Sequence, residues 1–143
     1  MENTMHTLAT KAIKFPAQNR GKADYGWLKT FYSFSFAQYF NPENINFGAL
    51  RVLNDDVVAP NMGFDTHPHD NMEIITIPFY GTLRHKDSMG HIEDIIADEV
   101  QVMSAGTGIF HSETNPSKTE SVGLFQIWII PEKRNVTPVY DQK

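Results

Sequence analysis

No long stretch of this 143-residue chain places its apolar residues at helical spacing. That absence constrains the fold most, because an amphipathic helix needs apolar residues at i, i+3, i+4 and i+7. Short apolar runs alternate with turn residues instead, and eight prolines and nine glycines punctuate the chain. FYSFSFAQYF, at 31–40, reads as an extended strand of aromatic residues and serines. Phe47 to Leu53 reads as a second strand, closed by a turn at Asn54, Asp55 and Asp56. MEIITIPFYGTL at 72–83 is rich in β-branched and aromatic residues. KDSMGHIEDI at 86–95 carries the turn cluster of a hairpin, and LFQIWIIP at 124–131 is an apolar run stopped by proline. Short strands at this spacing predict an all-β sandwich or barrel in a single domain. The first twenty residues and the tail after Pro131 look less regular and are expected over the outside or the edges of that body.

The length suffices to bury a core, and 41% hydrophobic with 20% charged residues belongs to a globular chain. A net charge of -5 argues against direct nucleic-acid binding, which needs an excess of lysine and arginine. With no cysteine there is neither a disulfide nor a thiolate metal site. Any metal must be held by His, Asp or Glu, and a reducing cytoplasm is the expected location. The N-terminus lacks the apolar run of a signal peptide, and no segment nears the roughly 18 apolar residues of a membrane span.

Two histidine pairs stand out. In FDTHPHDNMEII, at 64–75, His67 and His69 share a strand face because side chains alternate with period two, and Glu73 keeps the same parity. In GTGIFHSETN, at 106–115, His111 and Glu113 are again two apart. Either pair alone reads readily as a turn or a solvated loop; both in one β-rich chain favour a metal. A barrel can aim three imidazoles and a carboxylate into one cavity, leaving two positions of an octahedral metal open for water, oxygen or substrate. Ser112, of opposite parity, is no nucleophile, and SAGTG (104–108) lacks the residues of a phosphate loop, its glycines serving a tight turn before His111. His85 and His91 are expected to give polarity to their hairpin or to touch a rim, and His6 to be inert. Asp55, Asp56 and Asp70 are expected in turns or caps. Phe64, Met72, Phe79, Met103 and Phe110 are candidate cavity walls that serve as well for plain core.

The stretch from Gly63 to Gly81, G-x3-H-P-H-x3-E-x7-G, resembles the first cupin motif with slightly altered spacing. G-x-G-x2-H-x3-N, from Gly106 to Asn115, resembles the second, with Gly106 where cupins commonly have proline. Six ordered blocks, GWLKTFYSFSFAQYF, FGALRVLNDDVVAP, GFDTHPHDNMEIIT, HKDSMG, VQVMSAGTGIFHSE and FQIWIIP, are similar to the N-terminal half of pirin-family proteins.

The resemblance implies a cupin-type β-barrel, a jelly-roll-like double-stranded β-helix, at 21–131. An irregular arm precedes it at 1–20, and 132–143 form a tail or a linker toward a second cupin domain absent from this chain. It implies one divalent metal ion, iron first, with nickel, manganese, cobalt, copper and zinc as alternatives, on His67, His69, His111 and Glu113. Glu73 is not a ligand in the pirin pattern and is expected to orient a histidine or a water. Bacterial members are associated with quercetin 2,3-dioxygenase activity. A metal-dependent dioxygenase acting on quercetin-like flavonols or related enols is therefore the leading expectation, with Glu113 or Glu73 accepting the substrate proton. The alternative is a non-catalytic, iron-binding, redox-sensitive regulator acting through a protein partner. Pirins usually carry two tandem cupins, so a homodimer is expected if the chain is complete. Asp98-Glu99 stands where the family usually has Gly-Asp, a change expected to alter a turn.

Overall fold

The computed structural model describes residues 14–143, so His6 and most of the expected N-terminal arm lie outside the described residues. After a short 3-10 turn (Ala17–Asn19) come β1 (Gly21–Asp24), β2 (Leu28–Tyr32), β3 (Leu50–Val58), β4 (Gly63–His69), β5 (Glu73–Tyr80) and β6 (Thr82–Asp87). They are followed by β7 (Ile92–Ile96), β8 (Gln101–Ser104), β9 (Ile109–Thr114), β10 (Val122–Ile129) and β11 (Val139–Gln142). One seven-stranded sheet has the order β1-β2-β3-β10-β5-β8-β11, and a four-stranded sheet the order β4-β9-β6-β7. Every pairing is antiparallel. This is the expected all-β, cupin-type architecture in a single domain.

Alternation of buried with less buried positions places the inner faces of both sheets against each other. The interior has three layers. At one end Leu28, Val58, Leu83, Val122 and Leu124 cluster, with Trp27 and Phe64 packed against them. At the other end lie Ile74, Met103, Ala105 and Ile109, flanked by Met72 and Trp128. Each fully buried aliphatic side chain contributes about 1.5–3 kcal/mol. The middle layer is polar: Asn54, Asp56, Thr76, His85, His111, Glu113 and Gln126 are all buried. Two apolar ends holding a polar belt between them position the site.

Two expectations about strands fail for physical reasons. Strand β2 ends at Tyr32, and residues 33–40 turn instead of extending. The Ser35 hydroxyl accepts from the Asn41 N–H (2.8 Å) and donates to its carbonyl (2.9 Å), and Ala37 adopts a positive φ of 48° inside the Phe36–Tyr39 bridge. A short polar side chain bonded to backbone competes with the sheet ladder. Conversely, Asn54, Asp55 and Asp56 are not a turn; they lie in mid-β3, which is paired on both sides. Asp55 faces the other way and pairs with Arg20 at 3.1 Å. The expected hairpin at 86–95 forms between β6 and β7. The tail docks on a sheet edge, β11 pairing with β8. Gly106 (φ 46°) makes that docking possible, since a Cβ there would meet the Val136 carbonyl.

Candidate metal centre

Strands β4 and β9 lie side by side with His67 opposite His111. A register shift between Phe64 and His67 aims the end of β4 inward. The parity argument holds: Pro68 points out, while the rings of His67, His69 and His111 converge. Their centroids are 4.8 Å (67–69), 4.4 Å (67–111) and 4.9 Å (69–111) apart. One ligating nitrogen from each lies within 4.8 Å of the others. Nδ1 of His67 is 2.7 Å from the Asp65 carbonyl, which only accepts, so Nδ1 donates there and Nε2 is the ring nitrogen left to meet a metal. Both ring nitrogens of His111 are buried without a partner. Burial, followed by repulsion from His67, lowers the pKa of His69 to about 4. Burial and the neighbouring histidines lower that of His111 to about 3. Both are therefore neutral at pH 7, the form that binds metal.

Glu113 is fully buried one alternation further along β9, and is held by Thr76 Oγ1 (3.0 Å) and Gln126 Nε2 (2.8 Å). Burial raises its pKa to about 7, against the lowering effect of the Thr76 hydrogen bond. It is not gathered into the triple of His67, His69 and His111; it forms a second triple with His85 and His111, again within 4.8 Å. Glu113 and the three histidines line one cavity of about 220 Å3, with Phe36, Asn54, Asp56, Phe64, Ile74, Gln126 and Trp128 completing the wall. Glu73 is not brought to the cavity: it opens β5, half-buried, and accepts from Ser104 at 2.9 Å. Of the expected wall residues Phe64 lines the cavity, and Met72 and Met103 pack in the adjoining apolar end. Phe79 and Phe110 point outward, Phe110 because it alternates with Ile109 and His111.

Sequence reasoning also misplaced His85. Instead of serving the hairpin's polarity or rim it is completely buried, opposite Glu113 across the β6–β9 ladder. Its Nε2 is 3.1 Å from Asp87 Oδ2, which also meets His91 Nδ1 at 2.8 Å. Burial alone would raise the Asp87 pKa, but hydrogen bonds from His85, from the His91 ring and from the backbone N–H groups of His91 and Met89 outweigh it and hold the carboxyl below its ordinary value. Both imidazoles thus donate to an anion. Burial lowers the pKa of His85, leaving it neutral with an unpartnered Nδ1 lone pair inside the barrel. The alternation Leu83-x-His85-x-Asp87 was the available signal.

Unpartnered buried imidazole nitrogens are costly unless something fills their lone pairs. Neutral imidazoles beside a carboxylate are a donor set suited to divalent first-row metals, so these residues fit such an ion.

The pirin family profile matches residues 14–129. This chain belongs to the pirin family. As a pirin it is 54% identical over 127 residues, 89% of its own length and 55% of the relative's, to the quercetin 2,3-dioxygenase of Escherichia coli K12. It also superposes on the crystal structure of the Escherichia coli bacterial pirin YhhW in complex with nickel(II), with a TM-score of 0.87 and 54% identity, covering 89% of this chain and 55% of that one. The Schizosaccharomyces pombe Cnp3 cupin domain shares the fold at a TM-score of 0.59 and 12% identity, covering 85% of this chain and 76% of that one. The chain spans about half the length of the curated relatives it matches. Asp98, in place of the family's usual glycine, has a φ of 73°, the left-handed conformation that explains the glycine. Among the described residues, no helix of this pirin is long and apolar enough to cross a membrane.

Proposed function

We propose that this pirin holds one divalent metal on His67, His69, His111 and Glu113 and acts as a dioxygenase on electron-rich enols, quercetin-like flavonols among them. The observation that carries the reading is the convergence of three imidazoles, His111 unpartnered at both nitrogens, on a cavity that also contains a buried carboxylate. The dioxygenase name of the Escherichia coli relative and the nickel in the YhhW complex support it. Iron is the proposed native ion and nickel the first alternative. Lacking cysteine, the chain suits a reducing compartment, and the cytoplasm is its proposed location.

A bound metal would supply Lewis acidity and a path for electrons. The protein's own groups do the rest. Glu113, the buried carboxylate on the cavity wall, takes the enol proton. Thr76 and Gln126 fix the direction of its oxygens. Phe36, Phe64 and Trp128 give the cavity apolar surface that holds a flat ring and excludes water.

Elemental analysis of protein from native-like expression, paired with oxygen consumption on quercetin, tests the proposal. About one metal per chain is expected, falling sharply in His69→Ala together with oxygen uptake. Metal-free native protein, or unchanged metal content in His69→Ala, would sink it.

A further inference from the structure

An antiparallel sheet that turns one face to the core and the other to water normally carries polar residues on the wet side. The seven-stranded sheet does not. Its cross-strand registers set one outward row as Lys22, Phe31, Asp55, Phe125 and Ile77, from β1 to β5. The next row runs through Ile127, Ile75 and Val102 to Asp141 on β11. Phe31 and Val102 are 40% exposed and Phe125 is 37% exposed, with the outward Phe79 ring 5.0 Å from that of Phe125. A contiguous apolar face of this kind marks an interaction surface. The one charge inside these rows, Asp55, is neutralised by Arg20 at 3.1 Å, whose guanidinium lies 5.0 Å from the Phe31 ring centre. The remaining charges of the two rows stand at opposite ends, Lys22 on β1 and Asp141 on β11. Lys29, beside Lys22 on the hairpin, is paired with Asp24 at 3.9 Å.

The layout suits a second copy of the chain. Strand β10 is the midline of the seven, so a twofold axis along it stacks two such sheets face to face with their strands aligned. That operation lays the β1 end of each sheet over the β11 end of the other, bringing Lys22 toward Asp141 twice. An axis across the strands would set Lys22 over Lys22. The three central strands are eight or nine residues long. At about 4.8 Å between strands and about 3.3 Å per residue, the face measures roughly 30 by 25 Å, on the order of 700 Å2. Its standing side chains raise the accessible area above that flat footprint, near the roughly 800 Å2 that each member of a stable pair buries. The net charge of -5 speaks against an anionic lipid surface as the occupant.

We propose that the outer face of the seven-stranded sheet is a homodimer interface with its twofold axis along β10. Phe125 and Ile127 meet their own counterparts at the axis, and β2 of each copy lies over β8 of the other. The cavity is on the opposite face of the sheet, so the pairing stands independently of the oxygenase reading.

Sedimentation velocity of the full chain between about 1 and 100 µM tests it, with dimer expected to predominate above roughly 10 µM. Phe125→Glu sets two carboxylates together at the axis and should weaken the dimer at least about a hundredfold. Unchanged nickel uptake by that variant reports an intact barrel; if uptake falls, the exposed Lys22 and Asp141 carry the test instead. Lys22→Glu should weaken the dimer about fivefold, and Asp141→Lys in the same chain should restore it. A wild-type chain that stays monomeric throughout overturns the proposal, whether residues 1–13 or another protein then occupy the face. So does a dimer indifferent to Phe125→Glu in an intact barrel, one indifferent to Lys22→Glu, or one that the second charge change fails to restore.

Discussion

Replacing Glu113 by glutamine changes one charge and almost no volume, and the structure sets the size of the effect. Burial raises the Glu113 pKa from 4.5 to about 7 in the folded chain, whereas in the unfolded chain it returns to the ordinary value. Between those two values the folded state keeps a proton that the unfolded state has lost. The stability this group contributes is therefore present in full below pH 4.5 and is lost as pH rises through about 7. At about 1.36 kcal/mol per pK unit, the loss for the metal-free protein is about 3 kcal/mol. The glutamine variant has no titrating group at this position. His69 is common to both proteins, whereas His111, within 4.8 Å of Glu113, and Asp56, whose charge helps raise the Glu113 pKa, couple to the substituted group. Urea unfolding of chelator-treated wild type and Glu113→Gln at pH 5 and pH 8 measures it. The variant should gain about 2.5 kcal/mol on the wild type between the two pH values, part of the loss being already complete at pH 5, and added nickel should narrow the gap by stabilising the wild type more. A difference constant to within about 1 kcal/mol would show that the carboxylate is not a buried anion at pH 8, and would refute the argument.

Asn115→Ala should cost about 2–4 kcal/mol in urea unfolding, because its amide donates to the carbonyls of Val58, Ala59 and Glu120 at 3.1, 3.2 and 2.8 Å, and these would lose their donor in or near the core. Gly106→Ala should cost more than about 1 kcal/mol and lower the melting temperature, since alanine must take a φ of 46° and its Cβ would press on the Val136 carbonyl that the tail presents.

The sheet architecture was legible because period-two alternation and the absence of a helical period leave few other folds. The facing of His67, His69, His111 and Glu113 was legible for the same reason, since parity alone sets which side of a strand each occupies. What parity could not supply was distance. Glu113 shares a face with His111, yet the hydroxyl of Thr76 and the amide of Gln126, 37 and 13 residues away, draw its carboxylate toward the seven-stranded sheet. Glu73 keeps the parity of His67 and His69 in the sequence, but residues 70–72 leave the strand between them, and a parity argument does not survive a break.

The misplaced residues share one cause. Asn54, Asp56 and His85 were assigned to turns or rims because a polar residue among strands is usually outside. In a barrel built around a cavity the rule reverses in the middle layer, where polar groups face one another and apolar residues cover the ends. The strand patterns carry that reversal openly: Val52-x-Asn54-x-Asp56-x-Val58, Leu83-x-His85-x-Asp87, Ile109-x-His111-x-Glu113 and Ile74-x-Thr76 each put polar residues two positions from a buried aliphatic one. A polar side chain in phase with apolar neighbours is inward by the same alternation that places the apolar ones, whatever its own preference. Applied along this chain, that criterion picks out His85, His111, Glu113, Asn54 and Asp56 together. It leaves out His91, which precedes β7 and is only partly buried.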